Sequence, residues 1–248
     1  MGRLTDTVKH LIIINVIFFI GSQFYAMMYD WFSLFYFESP RFQLWQPLSH
    51  MFMHGGFSHI LFNMFGLFMF GSPLEAQWGK KKFLFFYFSA GLGAALIHSL
   101  VNYYHFHTGF EALLSLGASE TEIWDLVNNT LTQGSYREIP DIGIDVSRNF
   151  FTSFNTPAVG ASGAIYGVLV AFGLMYPNAE LMLIFLPIPI KAKYFIPAVI
   201  LMDLFSGLTG VSMFGQGIAH WAHIGGALFG FIMAWYWKKN SFNDRRWN

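Results

Sequence analysis

The stretch Pro157-Ala-Val-Gly160-Ala-Ser162-Gly163-Ala-Ile-Tyr166-Gly167 opens an apolar run that reaches Met175. It sets one hydroxyl among small residues at the mouth of an apolar helix, with Gly160 and Gly163 leaving the Oγ of Ser162 unshielded. Small-residue runs in membrane helices are mostly packing seams. Taken alone, the stretch reads first as a seam and second as a nucleophile site. The rest of the chain decides between the two.

Of the 248 residues, 54% are hydrophobic, 20% aromatic and only 11% charged, against about 25% charged in a soluble domain. Mean hydropathy is +0.44, so the chain is solvated mainly by the lipid bilayer. A net charge of zero gives no electrostatic case for nucleic acid, and the lack of cysteine excludes disulfides and thiolate metal sites.

Crossing the hydrocarbon takes about 20 mostly apolar residues. Candidate spans cover 8–25, 57–78, 83–103, 158–176, 195–208 and 217–237, giving an all-α membrane protein with a six-helix bundle in a single domain over 1–248. Five spans after the first make a retained helix, not a signal peptide, of 8–25. Residues 26–55 carry Tyr29, Trp31, Phe35, Phe42 and Trp45, broken by Pro40 and Pro47. That composition suits a half-embedded loop at headgroup level. Residues 104–156 hold seven acids and few long apolar runs, an aqueous insert in which Ser119-Glu-Thr-Glu122 reads as a capping box. The apolar run 181–189 contains two prolines and is too short to cross, so it reads as interfacial.

Eleven Lys and Arg fall on one set of loops and three on the other, which puts both termini in the cytoplasm and the acidic insert 104–156 outside. Spans two, four and six then enter from the outer face. Their first turns hold the polar residues: His50, His54, His59 and Asn63 around span two, Ser162 in span four, His220 and His223 in span six. At about 1.5 Å rise per residue His59, Ser162 and His223 each lie on the order of 5–10 Å below the outer surface. Residues four apart share a helix face, which pairs His59 with Asn63 and Ser162 with Tyr166. It also makes helix-packing seams of Gly163 with Gly167 and Gly226 with Gly230, where backbones approach closely.

These residues also carry a resemblance. His50-Met-Phe-Met-His54-Gly-Gly-Phe-Ser-His59-Ile-Leu-Phe-Asn63, Gly160-Ala-Ser162-Gly163-Ala-Ile-Tyr166-Gly and Ala222-His223-Ile-Gly-Gly226-Ala-Leu-Phe-Gly230 together resemble the rhomboid family of intramembrane serine proteases. The resemblance implies a dyad with Ser162 as nucleophile and His223 as general base. It implies oxyanion donors at His59, Asn63 and the Ser162 backbone N–H, and a supporting ring at Tyr166 beside His223. It implies single-span transmembrane proteins as substrates, entry beside span five, a covering loop at about 210–217, and no cofactor or metal. The expected home is a bacterial cytoplasmic membrane. Two departures stand out: the long insert, and Gln46 after Trp45 where many members have arginine.

Serine becomes a useful nucleophile when a neighbouring neutral imidazole takes its proton, and one good oxyanion donor contributes roughly 3–4 kcal/mol. Asp203, the only carboxylate in a nearby span, reads first as a hydrogen-bonded packing residue and second as an acid that orients His223. His54 is a possible site-lining residue, and Glu75 ties a helix end. The rivals are a zinc hydrolase built on His50 and His54 with His59 or His220, a catalytically silent binding module for membrane proteins, and a transporter. The first lacks the Glu of the usual zinc-protease helix.

Overall fold

The computed structural model describes residues 3–133, 139–183, 186–211 and 218–240. In chain order the helices are α1 (Asp6–Phe24), α2 (Met27–Phe32), α3 (Gln46–Ser49), α4 (Phe57–Gly66), α5 (Ser72–Trp78), α6 (Lys80–Ser115), α7 (Glu120–Gln133), α8 (Ile144–Asn155), α9 (Ser162–Met175), α10 (Ala192–Thr209) and α11 (His220–Asn240). A π-helical turn, Leu67–Gly71, joins α4 to α5 into one rod. Pro73 at the start of α5 removes a backbone donor there, which accounts for the widened turn.

Asp6–Phe24, Phe57–Trp78, Lys80–Ser115 and Ala192–Thr209 are long and apolar enough to cross a membrane, and Ser162–Met175 is a shorter apolar helix. With α11 they pack as six rods around a core that includes Val8, Leu67, Phe83, Phe86, Ala164, Val168, Ala171 and Ala227. Helix α11 lies against α6 and α9, with α10 on its flank. The outer faces of α1, α10 and α11 carry exposed Ile17, Ile20, Leu201, Phe205 and Ile232, as helices solvated by lipid do.

The start of α1 is tied down by Glu75. Its Oε1 accepts from the Thr7 N–H and its Oε2 from the Val8 N–H, both at 2.9 Å. Two N–H groups that helix geometry leaves without acceptors are satisfied in this way.

Three features differ from the sequence reading. The run around 181–189 is not merely an irregular interfacial segment: Glu180–Leu183 and Leu186–Lys191 form a two-stranded antiparallel hairpin, since proline excludes a helix but is tolerated at a sheet edge. Helix α6 does not end near 103 but continues to Ser115. The segment 104–156 is largely helical, not an open aqueous loop. Phe106 and Leu113 of α6, Ile123 and Val127 of α7, and Phe150, Phe151 and Phe154 of α8 bury one another together with Tyr36. Apolar residues at helical spacing build this second core, and the acids between them hide it from any average over the segment. The capping box is present: Glu122 Oε2 accepts from the Ser119 N–H at 2.8 Å, and Ser119 Oγ accepts from the Glu122 N–H at 3.3 Å.

The loop between α1 and α4 is closed by Gln46, which is fully buried. Its Nε2 donates to the carbonyls of Asp30 and Arg41, and its Oε1 accepts from the Phe35 N–H. The amide thus pins three points of the loop with uncharged hydrogen bonds. Arg41 pairs with Asp30 at 2.5 Å on the surface.

Candidate active site

Residues 157–161 are not helical, although the apolar run begins there. Leu34 and Ala158 exchange both backbone hydrogen bonds at 2.9 Å, and the Gly160 N–H donates to the His50 carbonyl at 2.9 Å. The loop therefore holds this strand from one side. Gly160 has φ of 122°, a conformation that other residues rarely adopt, and the chain turns there into α9. Ser162 is consequently the first residue of α9 and not a few residues inside it. At that position its N–H belongs to the turn that lacks intrahelical acceptors and forms the positive end of the helix dipole.

The imidazole of His223, on α11, reaches Ser162: Nε2 lies 2.8 Å from Oγ. Backbone proximity makes this possible. A methyl group added at Gly226 would sit 1.8 Å from the Gly163 carbonyl oxygen, and one at Gly230 would sit 2.4 Å from the Gly167 Cα. Only glycine fits where α9 and α11 cross. The Tyr166 ring stacks on His223, with centroids 4.2 Å apart and planes inclined by 13°.

His59 and Asn63 stand one turn apart on α4. The Gly55 N–H donates to His59 Nδ1 at 3.3 Å, so the proton of the neutral ring resides on Nε2. That Nε2 faces Ser162 across Gly160: a methyl there would lie 2.7 Å from His59 Nε2 and 3.5 Å from Ser162 Oγ. The bare glycine keeps open the space that an oxygen next to both atoms would occupy. The Nδ2 of Asn63 is buried and makes no hydrogen bond, and a buried donor without a partner costs about 1–3 kcal/mol. It is available to a visiting acceptor.

His54 is fully buried with both ring nitrogens unpartnered, its ring 5.1 Å from that of His59. Burial, and then the neighbouring His59, push this loop imidazole down to about 3. His50 is likewise held down at about 4 by burial, although its Nδ1 bonds the Gln46 carbonyl.

Of the two readings of Asp203, on α10, the geometry favours the second, for the residue lies behind the imidazole: its Oδ1 is 3.2 Å from His223 Nδ1 and 2.5 Å from His220 Nδ1, and its Oδ2 accepts from the Tyr166 hydroxyl. Because a carboxylate only accepts, this bond fixes the His223 proton on Nδ1 and leaves Nε2 to receive the Ser162 hydroxyl. The available signal was the carboxylate itself, since an ionisable group inside a span calls for a partner. The imidazoles named for the zinc rival are not gathered at one point. Among the described residues, the group whose ligand atoms lie within 4.8 Å of one another is Asp203, His220 and His223, not the set around His50 and His54. These three are already joined by hydrogen bonds around one carboxylate. Residues 212–217, most of the expected covering loop, lie outside the described residues.

The chain matches the model of a family described as the Rhomboid domain over residues 41–121 and 142–240. The segment between the two matched blocks, 122–141, is shorter than the insert expected at 104–156. An uncharacterized mitochondrial rhomboid protein of Schizosaccharomyces pombe is 26% identical over 214 residues, 79% of this chain and 52% of that protein. Rhomboid protein 1, mitochondrial, of Saccharomyces cerevisiae is 31% identical over 83 residues, 34% of this chain and 23% of that protein. The human presenilin-associated rhomboid-like protein, mitochondrial, is 42% identical over 81 residues, 32% of this chain and 20% of that protein. The chain thus spans about half or less of the length of these curated relatives.

Proposed function

Because the chain belongs to the rhomboid family, we propose that it is an intramembrane serine endopeptidase that cleaves single-span membrane proteins near the outer end of their transmembrane segments. The observation that carries this reading is the 2.8 Å contact between Ser162 Oγ and His223 Nε2, made by the first turns of two separate helices. In the proposed reaction Ser162 attacks the scissile carbonyl and His223 takes its proton. His59 Nε2–H, Asn63 Nδ2–H and the Ser162 N–H receive the oxyanion. No cofactor enters this scheme. A catalytically silent relative that only binds membrane segments has no use for a hydroxyl paired to an imidazole beside a free amide donor, so the geometry favours proteolysis.

The protein is an integral membrane protein. The relatives' names favour a mitochondrial membrane over the bacterial one that the sequence reading expected, and the basic loops favour both termini on the inner side. Fractionation of the source cells decides the compartment.

The deciding assay is cleavage of a labelled single-span substrate by the purified protein in detergent. Ser162→Ala and His223→Ala each lower kcat on the order of 10³-fold or more, and activity persists in strong chelator. Cleavage retained by Ser162→Ala overturns the reading, and loss of activity in chelator reinstates a metal enzyme.

A further inference from the structure

Three donors from two other helices converge on one carboxylate inside the bundle. Asp203 is 3% exposed and sits on α10, while the rings that reach it come from α9 (Tyr166) and α11 (His220 and His223). Burying a carboxylate in a membrane helix costs several kcal/mol unless it is paired and hydrogen-bonded. Here both oxygens are engaged, and one of the partners is the imidazole already in contact with the nucleophile.

We infer that Asp203 is the positioning acid of His223, so that the centre works as a line of three groups, Ser162–His223–Asp203, and not as the two-residue dyad that the motifs imply. The inference rests on the proteolytic reading above and deepens it. Three things follow from the geometry. The bond to Asp203 Oδ1 selects the tautomer with Nδ1 protonated, the only neutral form able to accept a proton at Nε2. The stacked Tyr166 ring confines the imidazole to one plane, while its hydroxyl holds the other carboxylate oxygen, so a single tyrosine aligns base and acid together. His220 fixes the carboxylate from a third direction, through the same Oδ1 that serves His223.

The chemical step balances without any proton reaching Asp203. As Ser162 Oγ bonds to the scissile carbon, the carbonyl π pair moves to oxygen and the Oγ proton passes to Nε2. The imidazolium keeps its Nδ1–H bond to Asp203, whose negative charge offsets the new positive one. When the C–N bond breaks, the Nε2 proton goes to the departing amine. Asp203 touches no substrate atom and acts through His223 alone.

The test is steady-state cleavage by Asp203→Asn beside Ser162→Ala, together with the rate at which a fluorophosphonate labels Ser162. The amide keeps the volume but offers a donor where an acceptor is needed. We expect kcat to fall ~10²–10⁴-fold with KM within about threefold of the parent, labelling to slow in parallel, and Asp203→Glu to recover part of the loss. Adding Asp203→Asn to His223→Ala should cost nothing further, as it must for a residue that works through the base. A kcat within twofold of the parent, or losses that multiply in the double variant, overturns the assignment. If Ser162→Ala itself cleaves, the protease reading falls; if Ser162→Ala is dead while Asp203→Asn keeps its kcat, only this inference falls. Histidine 15N NMR of the unaltered protein, assigned with His223→Asn, supplies a check that needs no folded variant at 203. A proton on Nδ1 of His223 supports the inference, and a proton on Nε2 overturns it.

Discussion

The seam between α9 and α11 and the cluster joining α6, α7 and α8 solve the same problem by opposite means. At the seam the helices meet backbone to backbone, with the Gly226 hydrogen side against the Gly163 carbonyl and Gly230 against Gly167. In the cluster large rings fill the gap: Phe106 stacks on Phe150 at 5.0 Å and on Phe154 at 5.1 Å between ring centroids. The difference follows from the solvent. Lipid is as apolar as leucine, so burying apolar area between membrane helices gains little, and close van der Waals fit between small residues takes over. In water the same ring burial is the main source of stability. The polar outer faces of α7 and α8, with Glu120, Glu122, Asp125, Asp145 and Arg148 exposed, suit a cap standing in water. The proposed catalysis needs the first solution, because a serine and a histidine on short side chains touch only if their helices nearly do.

The harshest way to break this contrast is a side chain at the seam. In Gly226→Leu the new Cβ alone would sit 1.8 Å from a carbonyl oxygen of the facing helix. Overpacking of ordinary cores costs about 1–3 kcal/mol, and here backbone must move as well. We expect no folded, Ser162-labelled protein to survive purification in detergent. A folded Gly226→Leu protein with normal labelling would show that the seam is slack.

The matching probe of the cap is Phe106→Ala, which removes the ring that stacks on both Phe150 and Phe154. Such truncations cost about 3–5 kcal/mol where the ring is fully buried. The expected outcome is rapid proteolysis within α7 and α8, with Ser162 labelling within a few-fold of the parent. If labelling collapses together with the cap, the two regions form one cooperative unit and the contrast fails.

The same difference governs what the sequence let one read. Ser162, His223 and the glycines at 163, 167, 226 and 230 lie in short local patterns, and close packing of small residues leaves a periodic trace on each helix separately. The cap leaves a fainter one, because its apolar positions stand at helical spacing among acids and amides that mask them in any average, and Phe106 and Phe150 are far apart in the chain. Asp203 stands out in the sequence as a carboxylate inside a span, but α10 carries no small-residue stripe to say which face turns inward, so its rotation toward His223 exists only in the packed bundle. Gln46 was read as a missing arginine, yet its amide makes three hydrogen bonds whose acceptors and donor lie up to 16 positions away. The start of α9 was misplaced because Gly160 bends under the tether from Leu34 and His50, which no local pattern records.

The mildest prediction concerns the loop between α1 and α4, which tethers the strand leading to Ser162. His50 and His54 are buried there, with imidazoles held down to about 4 and about 3, whereas in the unfolded chain they titrate near the ordinary value of about 6.5. Above that value both states are neutral and folding is indifferent to these groups. Below it the unfolded chain binds protons that the folded loop refuses, so stability falls as pH drops toward 4, by at most about 1.4 kcal/mol per pH unit for each histidine. The melting temperature in detergent should therefore decline between pH 6.5 and 4.5. His54→Leu removes one titrating ring whose nitrogens have no hydrogen-bond partner to orphan, and should flatten that decline. An unchanged slope in His54→Leu would mean that the ring takes up its proton in the folded loop. The site would then gain a positive charge beside His59, and acid would disturb the proposed oxyanion donor before it disturbed the fold.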